Sequence, residues 1–372
     1  MNRKTFLLSL AGALGLAAGG GAAYAHTAKF GEAPSGDRLA RIARSPHYIQ
    51  GRFECLHPVK SFSDQPQKQN LITGWAKFLL EDKTGRVPEA PLPTEKTDLS
   101  SLPREQDAVV WLGHSSFYLQ LGGRRLLLDP VMSSYGSPVF FINRAFPGSN
   151  VYRPEDIPPI DVLVISHDHW DHLDYATIKA LQPRIREVVC PLGVGAHLEH
   201  WGFSASQLHE EDWDTDIALA PDFHIHVLPG QHFSGRLLQQ NNTEWASFAF
   251  ITPRRKVYFS GDSGYADHFE AIGEKFGSFD LALMENGQYN LDWHKIHMLP
   301  AETAQAAEDL GAKAVIPCHN GKFALARHLW YEPMADLVKE SAGRPYLLIT
   351  PKIGTCVRMD DLHELPRWWE EA

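Results

Sequence analysis

From residue 107 onward the chain alternates short apolar runs with turns. "AVVWLGHSSFYLQLGGRRLLLDP" (108–130) reads as apolar strands folded about a Gly122-Gly123 turn, a hairpin signature. Further runs at "DVLVIS", "REVVCP", "FHIHVLP", "SFAFITP", "KVYFSGD", "LALMEN", "AKAVIPC" and "PYLLITP" each have strand length. Helical spacing falls between them at 174–182 and 301–310, where Pro300 suits a first helical turn and Gly311 an end. Strands interleaved with helices predict a layered α/β body over 107–372. Residues 26–106 lack such patterning. There "NLITGWAKFLLED" (70–82) predicts one short helix, and Pro88, Pro91, Pro93 and Pro103 mark a connector, so this stretch reads as an arm that wraps the body.

Residues 1–25 have a different texture: Arg3 and Lys4, an apolar stretch from Phe6 to Ala18, then Ala23-Tyr24-Ala25. That is the form of an export signal with His26 as the first mature residue, and it predicts a periplasmic or secreted protein, membrane-anchored if cleavage fails. "RKTFL" resembles a twin-arginine signal with Lys in the second place. The net charge is −10, and residues 1–25 supply only two of the bases and no acid, so the remainder carries −12. An acidic chain does not bind nucleic acid non-specifically. A bound metal can still make one site attractive to an anion. The four cysteines, Cys55, Cys190, Cys318 and Cys356, form no C-x-x-C pair; Cys190 and Cys318 end apolar runs and read as buried thiols.

The run "DVLVIS" ends in "HDHWDH", an unusual density of ligating side chains. A turn leaving a strand can point His167 and His169 to one side, with Asp171 and His172 beginning the next helix and facing a second position nearby. Neutral imidazoles suit Zn²⁺, and a carboxylate adds a charged oxygen. One turn cannot close a coordination sphere, so further donors are required. Three stand at predicted strand ends: His232 in "LPGQHFSG", Asp262 in "VYFSGDSGY" and His319 in "AVIPCHNGKF". Loops at strand ends are where α/β sheets collect functional groups.

This pattern, H-x-H-x-D-H, a later His, G-D-S-G and a C-terminal His, resembles that of the metallo-β-lactamase superfamily. Within it, "WLGHSSFYLQLGGRRLLLDPVMSS", "PPIDVLVISHDHWDHLDY", "GDSGY", "HMLPAE" and "CHNGKFALARH" are similar to the branch of N-acylphosphatidylethanolamine-hydrolysing phospholipase D, over roughly residues 47 to 354. The resemblance implies a four-layer αββα sandwich holding two Zn²⁺, iron and manganese being the other candidates. It implies His167, His169 and His232 on one ion, Asp171, His172 and His319 on the other, and Asp262 as bridge. A hydroxide held by the metals would attack phosphorus. His297 would bind a substrate oxygen or protonate the leaving group, and Tyr289 would stand on the substrate side. The implied function is hydrolysis of N-acyl phospholipids or related phosphodiesters. The alternative on the same site is hydrolysis of a lactone or other carbonyl centre. The implied partners are a small-molecule or phospholipid substrate, a membrane surface met peripherally, and a second copy of the chain.

Other polar residues read as structural: His114 as a loop brace, Asp129 as a turn former, and His224 and His226 as neighbours on one strand face. Asp168 reads either as support for a ligand or as a solvated acid. "MENGQYNLDWHK" keeps Gly287, Tyr289 and Trp293 of the resembled branch but has Asn290, Leu291 and Asp292 where it tends to have other residues. Trp368-Trp369 reads as packing on the body in preference to dipping into a membrane interface.

Overall fold

A computed structural model describes residues 23–57, 84–236, 240–291 and 293–371. The predicted helix at 70–82 and all of the predicted export signal but residues 23–25 lie outside the described residues. No described helix is long and apolar enough to cross a membrane.

The described part of the arm holds helix α1 (Gly36–Ile42) and a small hairpin, β1 (Tyr48–Ile49) and β2 (Arg52–Phe53). It lies against the body. Arg38 and Arg41 both reach the buried carboxylate of Glu210 at 2.9 Å, and Phe53 N–H donates to Asn241 O.

The body opens with β3 (Ala108–Gly113), β4 (Ser116–Leu121), β5 (Arg124–Leu128), β6 (Ile160–Val164), β7 (Ile185–Pro191) and β8 (Leu208–Glu211). A second sheet follows with β9 (Thr215–Ala220), β10 (Phe223–Leu228), β11 (Ser247–Ile251), β12 (Lys256–Phe259), β13 (Leu281–Glu285), β14 (Ala314–Cys318) and β15 (Leu347–Leu348). The last strand, β16 (Cys356–Arg358), returns to the edge of the first sheet. The orders are β16-β3-β4-β5-β6-β7-β8 and β15-β14-β13-β12-β11-β10-β9. Each sheet is antiparallel on one side and parallel on the other. Pairing turns parallel from β5 to β8 in the first sheet and from β12 to β15 in the second.

The sequence pattern explains the layers. Strands such as β6, β13 and β14 are apolar on both faces, as strands covered on both sides must be. Their inner faces form one core between the sheets, including Phe117, Val164, Phe248, Phe259 and Ile316. The outer face of the first sheet is covered by helices α2 (Tyr175–Leu181) and α3 (Gly195–His200). That of the second is covered by α4 (His268–Phe276) and α5 (Pro300–Asp309). A further helix, α6 (Glu332–Glu340), packs beside α5. The result is the layered α/β body that the strand pattern predicts, in the αββα form that the resemblance implies.

Several details differ from the sequence expectation. The segment read as one hairpin is three strands, because His114 at φ 55° makes a second turn between β3 and β4. Asp171 and His172 do not begin a helix. They stay in the turn, and α2 starts at Tyr175, where the Asp174 carboxylate accepts the Ala176 N–H. Strands β8 and β9 and helices α3, α4 and α6 escape the sequence reading; their apolar faces are short and interrupted by charge.

Candidate metal centre

The loops leaving the C-terminal ends of β5, β6, β12, β13 and β14, with the loop after β10, meet at one rim of the sandwich. The parallel strands all point their C-termini there, which is why residues so far apart in the chain converge. Local backbone completes the aim. Gly261, at φ 56°, is in a conformation that favours glycine, and a Cβ on it would lie 2.8 Å from both Ser166 Cβ and Ala246 O. This close approach seats Asp262 against the His167 loop.

Two groups of donors result. His167, His169 and His232 offer ligand atoms all within 4.8 Å of one another, and so do His114, Asp171, His172 and His319. Asp262 stands between them. Its Oδ2 is 3.9 Å from His167 Nε2, 3.7 Å from His232 Nε2 and 3.1 Å from His172 Nε2, while Oδ1 is 3.0 Å from His319 Nδ1. The structure therefore brings together all seven residues singled out by sequence spacing.

The contacts within the groups fit cations better than protons. His167 Nε2 approaches His169 Nδ1 at 2.8 Å, and His232 Nε2 approaches the same atom at 3.2 Å. Three imidazole nitrogens converging on one point can share at most one proton per pair. His172 Nε2 and Asp262 Oδ1 are buried without a hydrogen bond. Buried polar atoms left in this state cost free energy unless a ligand meets them.

Electrostatics point the same way. Burial, then neighbouring imidazoles, hold His167 well below the ordinary histidine range; burial does the same to His232 and lowers His169. These rings therefore present lone pairs. Burial opposes ionisation of Asp262 and Asp171, but His172 and other adjacent imidazoles outweigh it and keep both carboxylates ionised. His172 is pulled up against its own burial, chiefly by Asp262 and Asp171. The neutral rings of His167, His169 and His232 beside the ionised Asp171 and Asp262 are donors suited to a divalent transition metal.

A set of surrounding side chains orients these donors. Asp129 at the end of β5, fully buried, accepts from the Ser166 N–H at 2.7 Å and from His172 Nδ1 at 2.8 Å. This carboxylate–histidine pair leaves His172 Nε2 for the site. Asp129 thus does more than form a turn. His114 likewise bonds Asp171 Oδ2 through Nε2 at 2.8 Å, while burial pushes its pKa down to about 3. Ser166 meets His167 Nδ1 at 2.9 Å, Ile296 O meets His232 Nδ1 at 3.0 Å, and Ser115 meets His319 Nδ1 at 3.1 Å.

Asp168 is a buried support. It accepts from Gly235 N–H at 2.7 Å and Thr243 Oγ1 at 2.9 Å, and pairs with His197 at 3.2 Å. The other ring nitrogen of His197 accepts Glu32 N–H at 3.0 Å, and Arg236, stacked on Trp170, donates to Lys29 O. The arm is therefore fastened to the HDHWDH loop.

Beside the donors lies a cleft of about 270 Å³, walled by Phe233, Trp293, Ile296, His297 and Leu325. His297 lines it, its ring stacked 5.1 Å from His319 and edge-on 4.9 Å from His232. Tyr289, expected on the substrate side, is not brought to this wall. It is 8% exposed, its ring lies against His328, and its hydroxyl turns to Glu332. His224 and His226 are remote from the centre and share Asp216 at 3.0 and 3.7 Å. Trp368 and Trp369 are buried, Trp368 against Trp111 and Trp330. All four cysteines are free, with Cys190 and Cys318 buried.

A rim of histidines and aspartates at the parallel strand ends of an αββα sandwich defines a metal-dependent hydrolase. Residues 124–320 match the family described as Beta-lactamase superfamily domain, and the chain belongs to that family. It is 36% identical over 330 residues to an uncharacterized protein of Mycobacterium tuberculosis, covering 88% of each chain. It is 31% identical over 306 residues to N-acyl-phosphatidylethanolamine-hydrolyzing phospholipase D 1 of Caenorhabditis elegans, covering 76% of this chain and 84% of that one. Among solved structures, Igni18, a metallo hydrolase from Ignicoccus hospitalis, superposes with a TM-score of 0.53 at 20% identity over 68% of this chain and 98% of that one. CmlA, a diiron β-hydroxylase from Streptomyces venezuelae, does so with 0.52 at 18% identity over 69% and 55%. At these identities the structural likeness speaks for the fold alone.

Proposed function

We propose that the protein is a zinc phosphodiesterase of phospholipase D type, acting on N-acyl phosphatidylethanolamines or related diesters. The observation that carries the reading is the placement of Asp262 between two donor groups, each able to hold one cation. The similarity to the Caenorhabditis phospholipase over most of both chains supports the choice of a diester. His167, His169 and His232 would hold one Zn²⁺, Asp171, His172 and His319 the other, and Asp262 both. When bound, two such ions supply a nucleophilic hydroxide near neutral pH and offset negative charge on phosphoryl oxygens.

The chain's own residues do the rest. Asp129, Ser166 and Ile296 O engage Nδ1 of His172, His167 and His232, so that Nε2 of each ring would face the ions. Phe233, Trp293, Ile296 and Leu325 give the substrate's non-reacting group an apolar wall and exclude water. His297, beside His232 and His319 and lining the cleft, would protonate the departing alkoxide. We also propose export, from the pattern of residues 1–25.

The test is hydrolysis of bis-p-nitrophenyl phosphate and of an N-acyl phosphatidylethanolamine by zinc-loaded protein, beside a panel of lactones. Diester cleavage that Asp262→Ala abolishes supports the proposal. Lactone cleavage alone, or equal diester rates in the variant, overturns it.

A further inference from the structure

His297 is held by a residue that the reaction as described does not use. Glu285 is the last residue of β13, paired in register with Cys318 at the end of β14, one position before His319. It is entirely buried. An ionisable carboxyl ending an otherwise apolar strand, with no contact to solvent, requires a hydrogen-bond partner whether or not it is charged. One carboxylate oxygen lies 2.7 Å from His297 Nδ1, and the other accepts the Met298 N–H at 3.0 Å. The backbone around it is equally fixed. Glu285 N–H donates to Ser260 Oγ at 2.8 Å, and Thr303 Oγ1 donates to Glu285 O at 3.0 Å. Neither Lys nor Arg forms an ion pair with this carboxylate among the described residues. Its hydrogen-bonded side-chain partner is the imidazole.

The bond to Nδ1 has a chemical consequence. It commits that nitrogen to Glu285 and leaves Nε2 as the free face of a ring that borders the cleft. When the pair holds one proton beyond those of a carboxylate and a neutral ring, Nε2 carries hydrogen whichever of Glu285 and Nδ1 holds the other. We propose that Glu285 is a positioning residue that fixes the tautomer and aim of His297, so that Nε2–H protonates the leaving-group oxygen. This rests on the phosphodiesterase reading and deepens it. In the step, water oxygen bonds to phosphorus and the P–O bond to the leaving group breaks. The Nε2 proton passes to the departing oxygen to give an alcohol, with the proton shared by Glu285 and Nδ1 settling on Nδ1. The proton released by the attacking water later restores the pair.

Proton donation matters for a poor leaving group and little for a good one, and general acids contribute about 10²–10⁴-fold where they act. The experiment is a series of methyl aryl phosphates from p-nitrophenyl to unsubstituted phenyl, with wild-type protein, Glu285→Gln and His297→Gln. Both variants should lose about 100-fold or more on the phenyl ester and about 3-fold or less on the p-nitrophenyl ester, with unchanged metal content. Equal losses across the series, or loss of metal, would overturn the proposal. A second measurement does not depend on turnover. Long-range ¹⁵N–¹H correlation on metal-free protein should show Nε2–H with an engaged Nδ1 for His297 in the wild type and a mixed or inverted tautomer in Glu285→Gln. An unchanged ring would refute the positioning role. Should Glu285→Gln fail to fold, Glu285→Asp, which withdraws the carboxylate by one methylene, should give the same leaving-group dependence in weaker form. A wild-type protein inert to every diester would sink the phosphodiesterase reading, and the tautomer measurement would still decide for or against Glu285.

Discussion

Asp129→Asn isolates the most direct of the supporting contacts. The carboxylate is fully buried and accepts from the Ser166 N–H at 2.7 Å, from Ser166 Oγ and from His172 Nδ1 at 2.8 Å. Asparagine has nearly the same shape. Its oxygen can keep the Ser166 N–H, but its amide then turns a donor toward His172 Nδ1–H. The ring can relieve that clash by moving its hydrogen to Nε2, the atom that otherwise faces the cation. A fold without metal tolerates this exchange, so stability of the metal-free protein should change by less than about 1 kcal/mol, within the ordinary worth of one hydrogen bond. Metal binding cannot tolerate it. Losses of about 10–100-fold are typical when such a partner is removed, which is about 1.4–2.7 kcal/mol at 1.36 kcal/mol per decade. The assay is chelator competition followed by metal analysis, with urea unfolding of the metal-free protein as control. One ion should be retained normally and the other weakly. Wild-type affinity at both positions would show that the Asp129–His172 contact does not orient the ring for metal.

Other expectations can be checked alongside. Burial, with Asp212 adding to it, raises the Glu244 carboxyl well above its ordinary 4.5, so the folded protein holds that proton to higher pH than the unfolded chain. Stability from this group is full below pH about 4.5 and declines as pH rises toward the folded value, so Glu244→Gln should gain on wild type by up to about 1.4 kcal/mol per pH unit in that window; parallel urea-unfolding profiles for the two metal-free proteins would contradict this. Gly31 has φ 78°, and a Cβ there would lie 2.1 Å from His197 Nδ1. Gly31→Ala should therefore lift the arm from the HDHWDH loop, read as faster limited proteolysis before residue 36, whereas unchanged digestion would mean that the arm is held elsewhere. Trp368→Ala should cost about 3–5 kcal/mol of stability as a buried large-to-small change, because Trp368 is 2% exposed between Trp111 and Trp330; a loss below about 1 kcal/mol in urea unfolding would place the indole outside the core.

The sequence by itself determined most of the strands and the metal-donor candidates at their ends. Val162 to Ile165 followed by His167, His169, Asp171 and His172 is legible because an apolar run buries itself and the polar residues after it must lie at the sheet's rim. His232, Asp262 and His319 are legible for the same reason, each standing just beyond a buried strand. What the tertiary structure alone decided is which other polar groups are buried with them. Asp129 is 43 residues from His172 and His114 is 57 from Asp171. Local spacing carries no trace of either contact, so both resembled ordinary turn residues. Glu285 is the sharper case. A glutamate ending a strand reads as solvated, and only the pairing of β13 with β14 and the return of the chain at 297 put it against an imidazole. Tyr289 fails in the opposite direction, since a residue near the site in sequence is turned away by the packing of α6. Hydrophobic patterning acts residue by residue along the chain, whereas the desolvation that makes a buried carboxylate seek a partner exists only once the sheets have closed over it.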